Sequence, residues 1–386
     1  MADTRLPSRI EMVVPALHTG GMETMAIDLA RALNRRGHDV GITCLEDEGE
    51  LAEAARRDGI PVTLVRCPGG VRMAFPRTLA RWFLTRAPQT VHLHNGVWLK
   101  GARAARLAGV PRVIATLHGL LDRTPRHDRW LMRLGIGMAD CCAAVSAPLA
   151  EFLVRDVGVP ARKVCVVTNG IDTGRFRPGT ASDGFRRGLG IGDAAPLIGI
   201  VARLAPVKNH DLLLRAFAVV RARFPNAALA IVGDGPLRSR LEARARELGI
   251  RGAIHFTGDV KDPAPVYRAF DVFVLPSLAE GTSISLLEAM ASGACIVATA
   301  VGGNSALLAD GAAGRLVPSD DPAALAAALV DLLEDRARRC ALGRAARARA
   351  VTEYSHNRMV DQYEVLYGPA PVESARPRPS TISGAR

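Results

Sequence analysis

The chain has 386 residues, of which 48% are apolar and 23% charged. This length favours two domains, and the composition is globular, which excludes a short binding module and a largely disordered protein. No apolar run approaches the roughly 20 residues of a membrane-spanning helix, and Asp3 and Arg5 occupy positions where a signal peptide is apolar. Seven cysteines without a Cys-x-x-Cys pair argue against disulfide and zinc frameworks. We therefore expect a cytosolic protein.

Short apolar runs alternate with helical patterns along most of the chain, for example the helical patterns at residues 23–36, 211–223 and 237–248. This alternation predicts parallel sheets covered by helices, arranged as two doubly wound units in series. The predicted strands are residues 9–15, 39–45, 61–65, 90–94, 112–117, 141–145 and 164–168 in the first unit, and 197–202, 228–232, 253–256, 271–275, 295–299 and 314–317 in the second.

Residues 169–193 are rich in Gly, Asp and Pro, which is typical of an interdomain linker. We predict a first domain over residues 1–180 and a second over 181–355. Only helices are predicted after the last strand, at residues 323–333, 337–350 and 357–367. Residues 368–386 lack periodicity and contain four prolines, so a disordered tail is predicted there.

The first predicted strand is followed by a loop with two glycines and then directly by a helix. Ligands of open parallel sheets bind at the carboxyl ends of the strands. Gly20 and Gly21 allow the backbone to approach a ligand, and the helix N-terminus favours negative charge, so a phosphate site is one interpretation. The loop is not the G-x-G-x-x-G of a dinucleotide site. An ordinary strand-to-helix turn is the alternative.

Two cations lie just after the first strand of the second unit. Arg203 offers a planar fork and Lys208 a point charge, and both suit a diphosphate. Lys208 is one of only four lysines among 50 basic residues. The alternative is a pair of solvated loop charges.

Glu280 and Glu288 follow a later strand of the second unit. Positions eight apart on one continuous helix point about 80° apart, so a shared ligand requires Glu280 in a loop and Glu288 inside the helix. Gly281 permits this break, and the free amides that follow it would face an anion. The alternative is a capping box formed by Ser285 and Glu288.

Two further strand ends offer candidate ligands. His118 presents an imidazole at the predicted interdomain face, and the turn at residues 232–236 carries Gly233 where a nucleoside would fit. A structural histidine and an ordinary turn are the respective alternatives.

In combination these motifs resemble glycosyltransferase family 4, the retaining group 1 glycosyltransferases of GT-B fold. They occur in the order expected of that family and span about residues 10–365. The motifs are Gly-Gly-Met-Glu at 20–23, Asn-Gly-Ile-Asp at 169–172, Arg203 with Lys208-Asn209, Gly-Asp-Gly-Pro at 233–236 and Glu280-Gly-x6-Glu288-Ala-Met-Ala.

The resemblance implies two Rossmann-like domains that face each other across a cleft, with a C-terminal helix at residues 356–367 crossing back to the first domain. The second domain would hold a nucleotide sugar and the first an acceptor. By this resemblance Arg203 and Lys208 bind the diphosphate, Glu280 binds the transferred sugar, and His118 contacts that sugar and assists the transition state. The implied donor-binding residues are Gly20, Gly21, Asn169, Gly233, Gly281, Thr282, Ser283 and Glu288.

The chain contains no Asp-x-Asp, so we expect a metal-independent reaction with no cofactor. The donor would be a UDP- or GDP-sugar, and the acceptor a saccharide or a lipid-linked one, in bacterial polysaccharide or glycolipid synthesis. The family's acceptor-side loops, at residues 94–96 and 120–127 here, are its most variable part. An epimerase of nucleotide sugars on the same fold is one alternative. A nucleic-acid-binding protein is another, although no recognition motif supports it and no nucleic acid is expected as a partner.

The net charge of +12 is concentrated in residues 66–133, where 13 basic side chains face only Asp122 and Asp128, a balance of +11. This segment predicts docking of the first domain on an anionic membrane surface, and hence a peripheral position on the inner face of the plasma membrane. The alternative is that the apolar stripes pack internally and the arginines are solvated. The residues concerned are the stripe Phe75, Leu79, Trp82 and Phe83 with Arg77 and Arg81 opposite, and Arg126, Arg129 and Arg133 on the next basic helix.

Overall fold

The computed structural model describes residues 7–67, 76–119, 124–179 and 183–368, and within these ranges it contains two parallel β-sheets. The strands are β1 (Arg9–Val14), β2 (Asp39–Cys44), β3 (Val62–Leu64), β4 (Thr90–Leu93), β5 (Arg112–Leu117), β6 (Cys141–Ala144), β7 (Val164–Val166), β8 (Leu197–Val201), β9 (Ala228–Val232), β10 (Ile254–Gly258), β11 (Val272–Leu275), β12 (Ile296–Thr299) and β13 (Arg315–Val317).

Helices connect consecutive strands and then close the chain. They are α1 (Gly21–Arg35), α2 (Ala52–Arg57), α3 (Arg77–Arg86), α4 (Trp98–Leu107), α5 (Arg126–Met138), α6 (Ala147–Arg155), α7 (Asp183–Gly188), α8 (His210–Arg223), α9 (Arg238–Glu247), α10 (Ala264–Ala269), α11 (Ile284–Ala291), α12 (Asn304–Leu307), α13 (Pro322–Glu334), α14 (Arg336–Glu353) and α15 (His356–Tyr367).

Both sheets have the strand order of a doubly wound fold. The first runs β3-β2-β1-β4-β5-β6-β7 and the second runs β10-β9-β8-β11-β12-β13. The order reverses between β1 and β4 and again between β8 and β11, and a crevice opens at the carboxyl ends of strands at such a point. All thirteen predicted strands are present, so the predicted fold class of two Rossmann-like units is confirmed.

Each sheet is covered on both faces by helices, because its strands are apolar on both faces. In the first domain α1, α2 and α15 cover one face, and α3, α4, α5 and α6 cover the other. In the second domain α8, α9 and α13 cover one face, while α10, α11 and α14 cover the other. No helix within the described ranges is long and apolar enough to cross a membrane.

The C-terminal helix α15 crosses back to the first domain, as the fold prediction states. The Tyr363 side chain is fully buried in the core shared by β1, α1 and β2. The Tyr367 hydroxyl lies 2.8 Å from Nδ1 of His92 on β4, and Arg112 Nε donates to the Leu366 carbonyl at 2.8 Å. The last helix therefore completes the core of the first domain.

Much of the predicted linker packs against the second domain. Phe176 and Ile191 are buried in its core, and Arg186 on α7 donates to the carbonyls of Ala195 and Ala269. The interpretation of residues 169–193 as an interdomain linker stays a prediction, and its few apolar side chains anchor it to the second domain. The boundary predicted near residue 180 lies outside the described residues and stays a prediction, as does disorder beyond residue 368.

The apolar stripe predicted to face a membrane packs inside the first domain. Leu79 and Phe83 on α3 are buried, and Trp82 Nε1 donates to Thr43 Oγ1 at 2.9 Å. The stripe part of the membrane prediction is therefore wrong, and Phe75 lies outside the described residues. Arg77 and Arg81 are exposed on the opposite face of α3, as expected.

Several cations of residues 66–133 have acidic partners from other segments of the chain. Arg86 pairs with Asp39 at 2.6 Å and with the buried Glu11 at 3.1 Å. Arg106 pairs with Asp140 at 2.7 Å. A charge balance counted along one sequence segment therefore overstates the free positive charge of the folded surface.

Candidate active site

A cavity of about 850 Å³ opens between the carboxyl ends of the two sheets and is lined by both domains. Every residue predicted from the sequence as a site residue lines it, although these residues are spread over most of the chain. They are Gly20, Gly21, His118, Asn169, Arg203, Lys208, Gly233, Glu280, Gly281, Thr282, Ser283 and Glu288.

The N-terminus of α1 forms part of the first-domain wall. Gly20 is the N-cap residue, and Glu23 lies in the first turn of the helix. Gly20 and Gly21 both line the cavity. A Cβ at Gly21 would lie 3.5 Å from Ile284 Cγ1 in the second domain. The predicted glycine loop therefore brings the positive end of a helix close to the facing domain.

Beside this loop lies an ion-paired histidine that sequence reasoning missed. His18 Nδ1 lies 2.6 Å from Glu50 Oε2, and its Nε2 lies 3.1 Å from Asp47 Oδ1. The hydrogen bond from His18 lowers the pKa of Glu50 to about 2, and Glu50 in turn raises the pKa of His18. No motif marks this group, because Asp47 and Glu50 lie in the loop that follows the second strand.

On the facing wall, the two predicted cations occupy different settings. Lys208 closes a short 3-10 turn before α8, and its Nζ lies 2.6 Å from Glu280 Oε1. Arg203 is exposed at the mouth of the cavity and forms no hydrogen bond or ion pair with the part of the chain that is described. One cation is thus held in place, while the other is free to reach a ligand.

Glu280 lies in the loop before α11, where its carboxylate is largely buried. Its Oε1 accepts hydrogen bonds from Lys208 Nζ and from Ser277 Oγ, each at 2.6 Å. Ser277 is completely buried and was not predicted. Its position directly after the end of β11 is the signal that could have identified it.

The segment after Glu280 touches the first domain closely. A Cβ at Gly281 would lie 2.4 Å from the His118 carbonyl oxygen, so only glycine fits there without movement. Thr282 Oγ1 donates to the Val145 carbonyl, and Asn169 Nδ2 donates to the Thr282 carbonyl at 3.4 Å. These contacts join the two walls of the cavity at its base.

Helix α11 begins as the spacing of the two glutamates requires. Ser283 is its N-cap, with Oγ accepting from the Leu286 amide at 3.4 Å, so Glu280 lies before the helix and Glu288 inside it. The alternative capping box is wrong, because Ser285 is a helical residue and Glu288 accepts instead from the Tyr267 hydroxyl at 2.5 Å. Burial raises the pKa of Glu288 to about 7.

The turn at residues 232–236 packs tightly on the loop that carries Arg203. Gly233 has φ of 127°, and a Cβ there would lie 2.2 Å from the Ala202 carbonyl oxygen. Glycine is therefore required by both its conformation and its close approach. Its outer face lines the cavity together with Asp234 and Asp259.

His118 follows β5 and belongs to a cluster of buried histidines. Its Nε2 lies 2.8 Å from His94 Nδ1, and its Nδ1 is buried without a partner in the described part of the chain. Burial holds the pKa of His118 well below its usual range, with neighbouring His94 adding to the effect. The ring is therefore neutral near neutral pH.

Taken together, the second-domain wall offers cations and the N-terminus of α11, and the first-domain wall offers the N-terminus of α1 and a neutral imidazole. Positive groups of this kind stabilise a departing diphosphate, and buried carboxylates accept hydrogen bonds from sugar hydroxyls. Within the described ranges, no three His, Cys, Asp or Glu side chains are grouped to hold a metal ion. The geometry suits transfer of a group from a phosphorylated donor.

Comparisons with known proteins identify the family. Residues 19–175 match the family described as Glycosyltransferase Family 4, and residues 195–335 match Glycosyl transferases group 1. The chain is 35% identical over 334 residues to a GDP-mannose-dependent alpha-(1-6)-phosphatidylinositol monomannoside mannosyltransferase of Mycolicibacterium smegmatis, covering 81% of this chain and 85% of the relative. It is 32% identical over 356 residues to D-inositol 3-phosphate glycosyltransferase 2 of Catenulispora acidiphila, covering 82% of each.

A solved structure shares the same fold. HepE of Anabaena in complex with UDP aligns with a TM-score of 0.81 and 22% identity, covering 92% of this chain and 98% of that one. These three findings agree with the resemblance seen in the motifs: two family models match, the relatives are similar over most of their length, and the fold is the same. The chain therefore belongs to the group 1 glycosyltransferases of family 4 and transfers a sugar from a nucleotide-sugar donor to an acceptor.

Proposed function

We propose that the enzyme transfers a sugar from a UDP- or GDP-sugar to an acceptor hydroxyl with retention of the anomeric configuration and without a divalent metal. The observation that carries the proposal is the Lys208–Glu280 ion pair beside the N-terminus of α11, with Arg203 free at the mouth of the same cavity. Positive groups at this place neutralise a diphosphate, which is the role that a metal ion has in other transferases.

In this proposal the site residues have the roles that the family resemblance implies, and their place in the cavity lining supports these roles. Arg203 and Lys208 bind the diphosphate, Glu280 accepts hydrogen bonds from hydroxyls of the transferred sugar, and Glu288 binds the ribose. In the reaction, the bond between the sugar C1 and the terminal phosphate oxygen breaks as the acceptor oxygen bonds to C1 on the same face. The acceptor proton passes to the departing phosphate, so no side chain has to act as a nucleophile.

The direct test is a transfer assay with stereochemical analysis of the product. Product with the donor's anomeric configuration by NMR, formed at an unchanged rate in EDTA, is the expected result. An inverted product would contradict retention, and activity that is lost in EDTA and restored by magnesium or manganese would contradict metal independence. Isomerised donor without acceptor would instead favour an epimerase.

The nucleotide is best identified by thermal shift with a panel of nucleotide sugars. A ligand at 100 times its dissociation constant adds about 2.7 kcal/mol to stability, which is readily measured. We expect stabilisation by UDP- or GDP-sugars and by no other nucleotide class. The variant Arg203→Ala provides the control, since it removes a diphosphate contact without disturbing any bond of the described structure.

The acceptor in this proposal is lipid-linked, and the first domain docks on an anionic membrane through α5. Trp130 and Leu134 on this helix are 60% and 40% exposed, although residues of their kind are usually buried. Arg126 and Arg133 are exposed and lie at helical spacing on the same face. An exposed tryptophan among arginines suits a lipid headgroup layer, and the mannosyltransferase relative is named for a phosphatidylinositol-based acceptor.

Docking is tested by co-sedimentation with vesicles of phosphatidylcholine, with and without phosphatidylglycerol. Binding should require the anionic lipid, weaken as salt rises, and fall in Arg126→Glu/Arg133→Glu and in Trp130→Ser. Arg77→Glu/Arg81→Glu on α3 is the matched control with the same charge change and should bind as the wild type does. Equal binding to both vesicles, or to neither, would contradict the proposal.

A further inference from the structure

The ring of His118 is held by a second histidine from the neighbouring strand. His94 follows β4 directly, and its Nδ1 lies 2.8 Å from His118 Nε2. The planes of the two rings are 20° apart, and their centroids lie 5.1 Å apart, as expected for two rings joined edge to edge by a hydrogen bond. His94 is completely buried.

The main chain of His118 is held by the next residue of the same segment. Asn95 Oδ1 accepts from the His118 amide at 2.9 Å, and Asn95 Nδ2 donates to the Gly119 carbonyl at 3.2 Å. Asn95 thus fixes where the backbone of His118 lies, and His94 fixes how its ring is turned. Together they leave the imidazole no free rotation.

The contact between the two rings also settles which nitrogen of His118 is available. A hydrogen bond between two imidazole nitrogens requires one hydrogen between them, and both rings are neutral because burial lowers both pKa values, that of His94 to about 3. With Nε2 engaged, Nδ1 remains, and this atom is buried without a partner in the described part of the chain. Such an atom is costly unless a ligand satisfies it.

We infer that His94 is a positioning residue, which holds the His118 imidazole in one orientation and one tautomer so that Nδ1 meets a hydroxyl of the donor sugar. The inference rests on the proposed function, since it assumes that the sugar lies beside His118. His94 itself lies behind His118 and does not line the cavity.

A matched control lies two residues earlier on the same strand. His92 is as completely buried as His94, but its nitrogens contact Thr116 Oγ1 at 2.7 Å and the Tyr367 hydroxyl at 2.8 Å. It forms no hydrogen bond with His118. The His92 ring packs on the His94 ring, with 4.3 Å between their centroids. Replacing His92 by leucine thus removes a buried imidazole from the same segment and keeps an apolar side chain against His94, without removing a hydrogen bond of His118.

The experiment compares His94→Leu, His94→Asn and His92→Leu in the full-length enzyme. Leucine removes the partner of His118 Nε2, whereas an asparagine amide carries a polar atom at the position of Nδ1. We expect His94→Leu to lower kcat about 10-fold or more, because misplacing a catalytic group by about 1 Å can cost up to 10²-fold. His94→Asn should recover much of that rate, and His92→Leu should keep the wild-type kcat even where its Tm falls.

A second readout does not depend on catalysis. In ¹⁵N-histidine-labelled enzyme, the ring nitrogens of His118 should show a single neutral tautomer, which becomes a mixture in His94→Leu. The inference would be overturned if His94→Leu had the wild-type kcat, or if the wild-type enzyme showed a mixture of tautomers. The wild-type spectrum provides this test even if His94→Leu does not fold. Absence of transfer by the wild-type enzyme would instead count against the proposed function.

Discussion

Two pairs of side chains at the cleft use opposite kinds of chemistry. The second-domain wall carries an ion pair, Lys208 with Glu280, and the exposed Arg203. The first-domain wall places the buried His94 next to the partly buried His118, both of them neutral. In sugar transfer, negative charge grows on the phosphate and positive charge on the sugar carbon. In the proposed reaction, the cations would stabilise the phosphate, and a neutral imidazole avoids the repulsion that an imidazolium would exert on the positive sugar carbon.

The largest effect is expected on the charged wall. Lys208→Ala should lower kcat by roughly 10² to 10³, the scale seen when a preorganised donor to developing charge is removed. Glu280→Gln, which breaks the same ion pair, should also impair turnover while the fold persists. Steady-state kinetics measure both variants.

Lys163→Ala is the control for Lys208→Ala. Lys163 Nζ donates to the carbonyls of Gly137 and Ala139, far from the cavity lining, so this variant loses bonds of similar strength and should keep its kcat. Wild-type rates in Lys208→Ala would mean that the two walls do not differ as proposed.

A smaller effect is expected from the titration of Glu288. Its pKa of about 7 in the free enzyme should fall when ribose hydroxyls donate to the carboxylate, so the donor binds the ionised form more tightly. Affinity for a nucleotide sugar should therefore be constant above about pH 7 and decrease by up to tenfold for each pH unit below it. Isothermal titration calorimetry across this range measures the dependence.

The variant Glu288→Gln should abolish that dependence. Glu50 raises the pKa of His18, and His18 loses positive charge as the pH rises, so it acts in the opposite direction on an anionic donor. A dependence that survives in Glu288→Gln would assign the titration to another group.

The smallest effect is expected from Tyr267→Phe. The Tyr267 hydroxyl donates to Glu288 and lowers the pKa of that carboxyl group, opposing the effect of burial. Without this hydroxyl the pKa of Glu288 should be higher, so the loss of donor affinity should begin at a higher pH. Donor binding at pH 7 should weaken about fivefold, which corresponds to one hydrogen bond of about 1 kcal/mol. The same calorimetry compares the two proteins. An unchanged pH profile would show that Tyr267 does not tune this wall.

The position of Arg203, Lys208, Glu280 and His118 at the cavity was predictable from the sequence, because each follows a strand end, where open parallel sheets bind ligands. The residues that hold them in place were not predictable. His94 and Tyr267 contribute through contacts between separate elements, which no spacing in the sequence reveals. The same limit explains the wrong prediction that the apolar stripe of α3 faces a membrane. An amphipathic pattern shows that one face of a helix is apolar, but it does not show whether another part of the protein covers that face.

The return of α15 to the first domain has a consequence for how the protein is made. Tyr363 and Tyr367 are among the last described residues, yet they fill the core that begins with β1. A ribosome has synthesised the whole second domain before these side chains emerge, so the first domain waits until then with part of its sheet uncovered. For the same reason, a first domain expressed without the second should expose apolar surface and aggregate. Fusing α15 to its C-terminus should restore a soluble first domain.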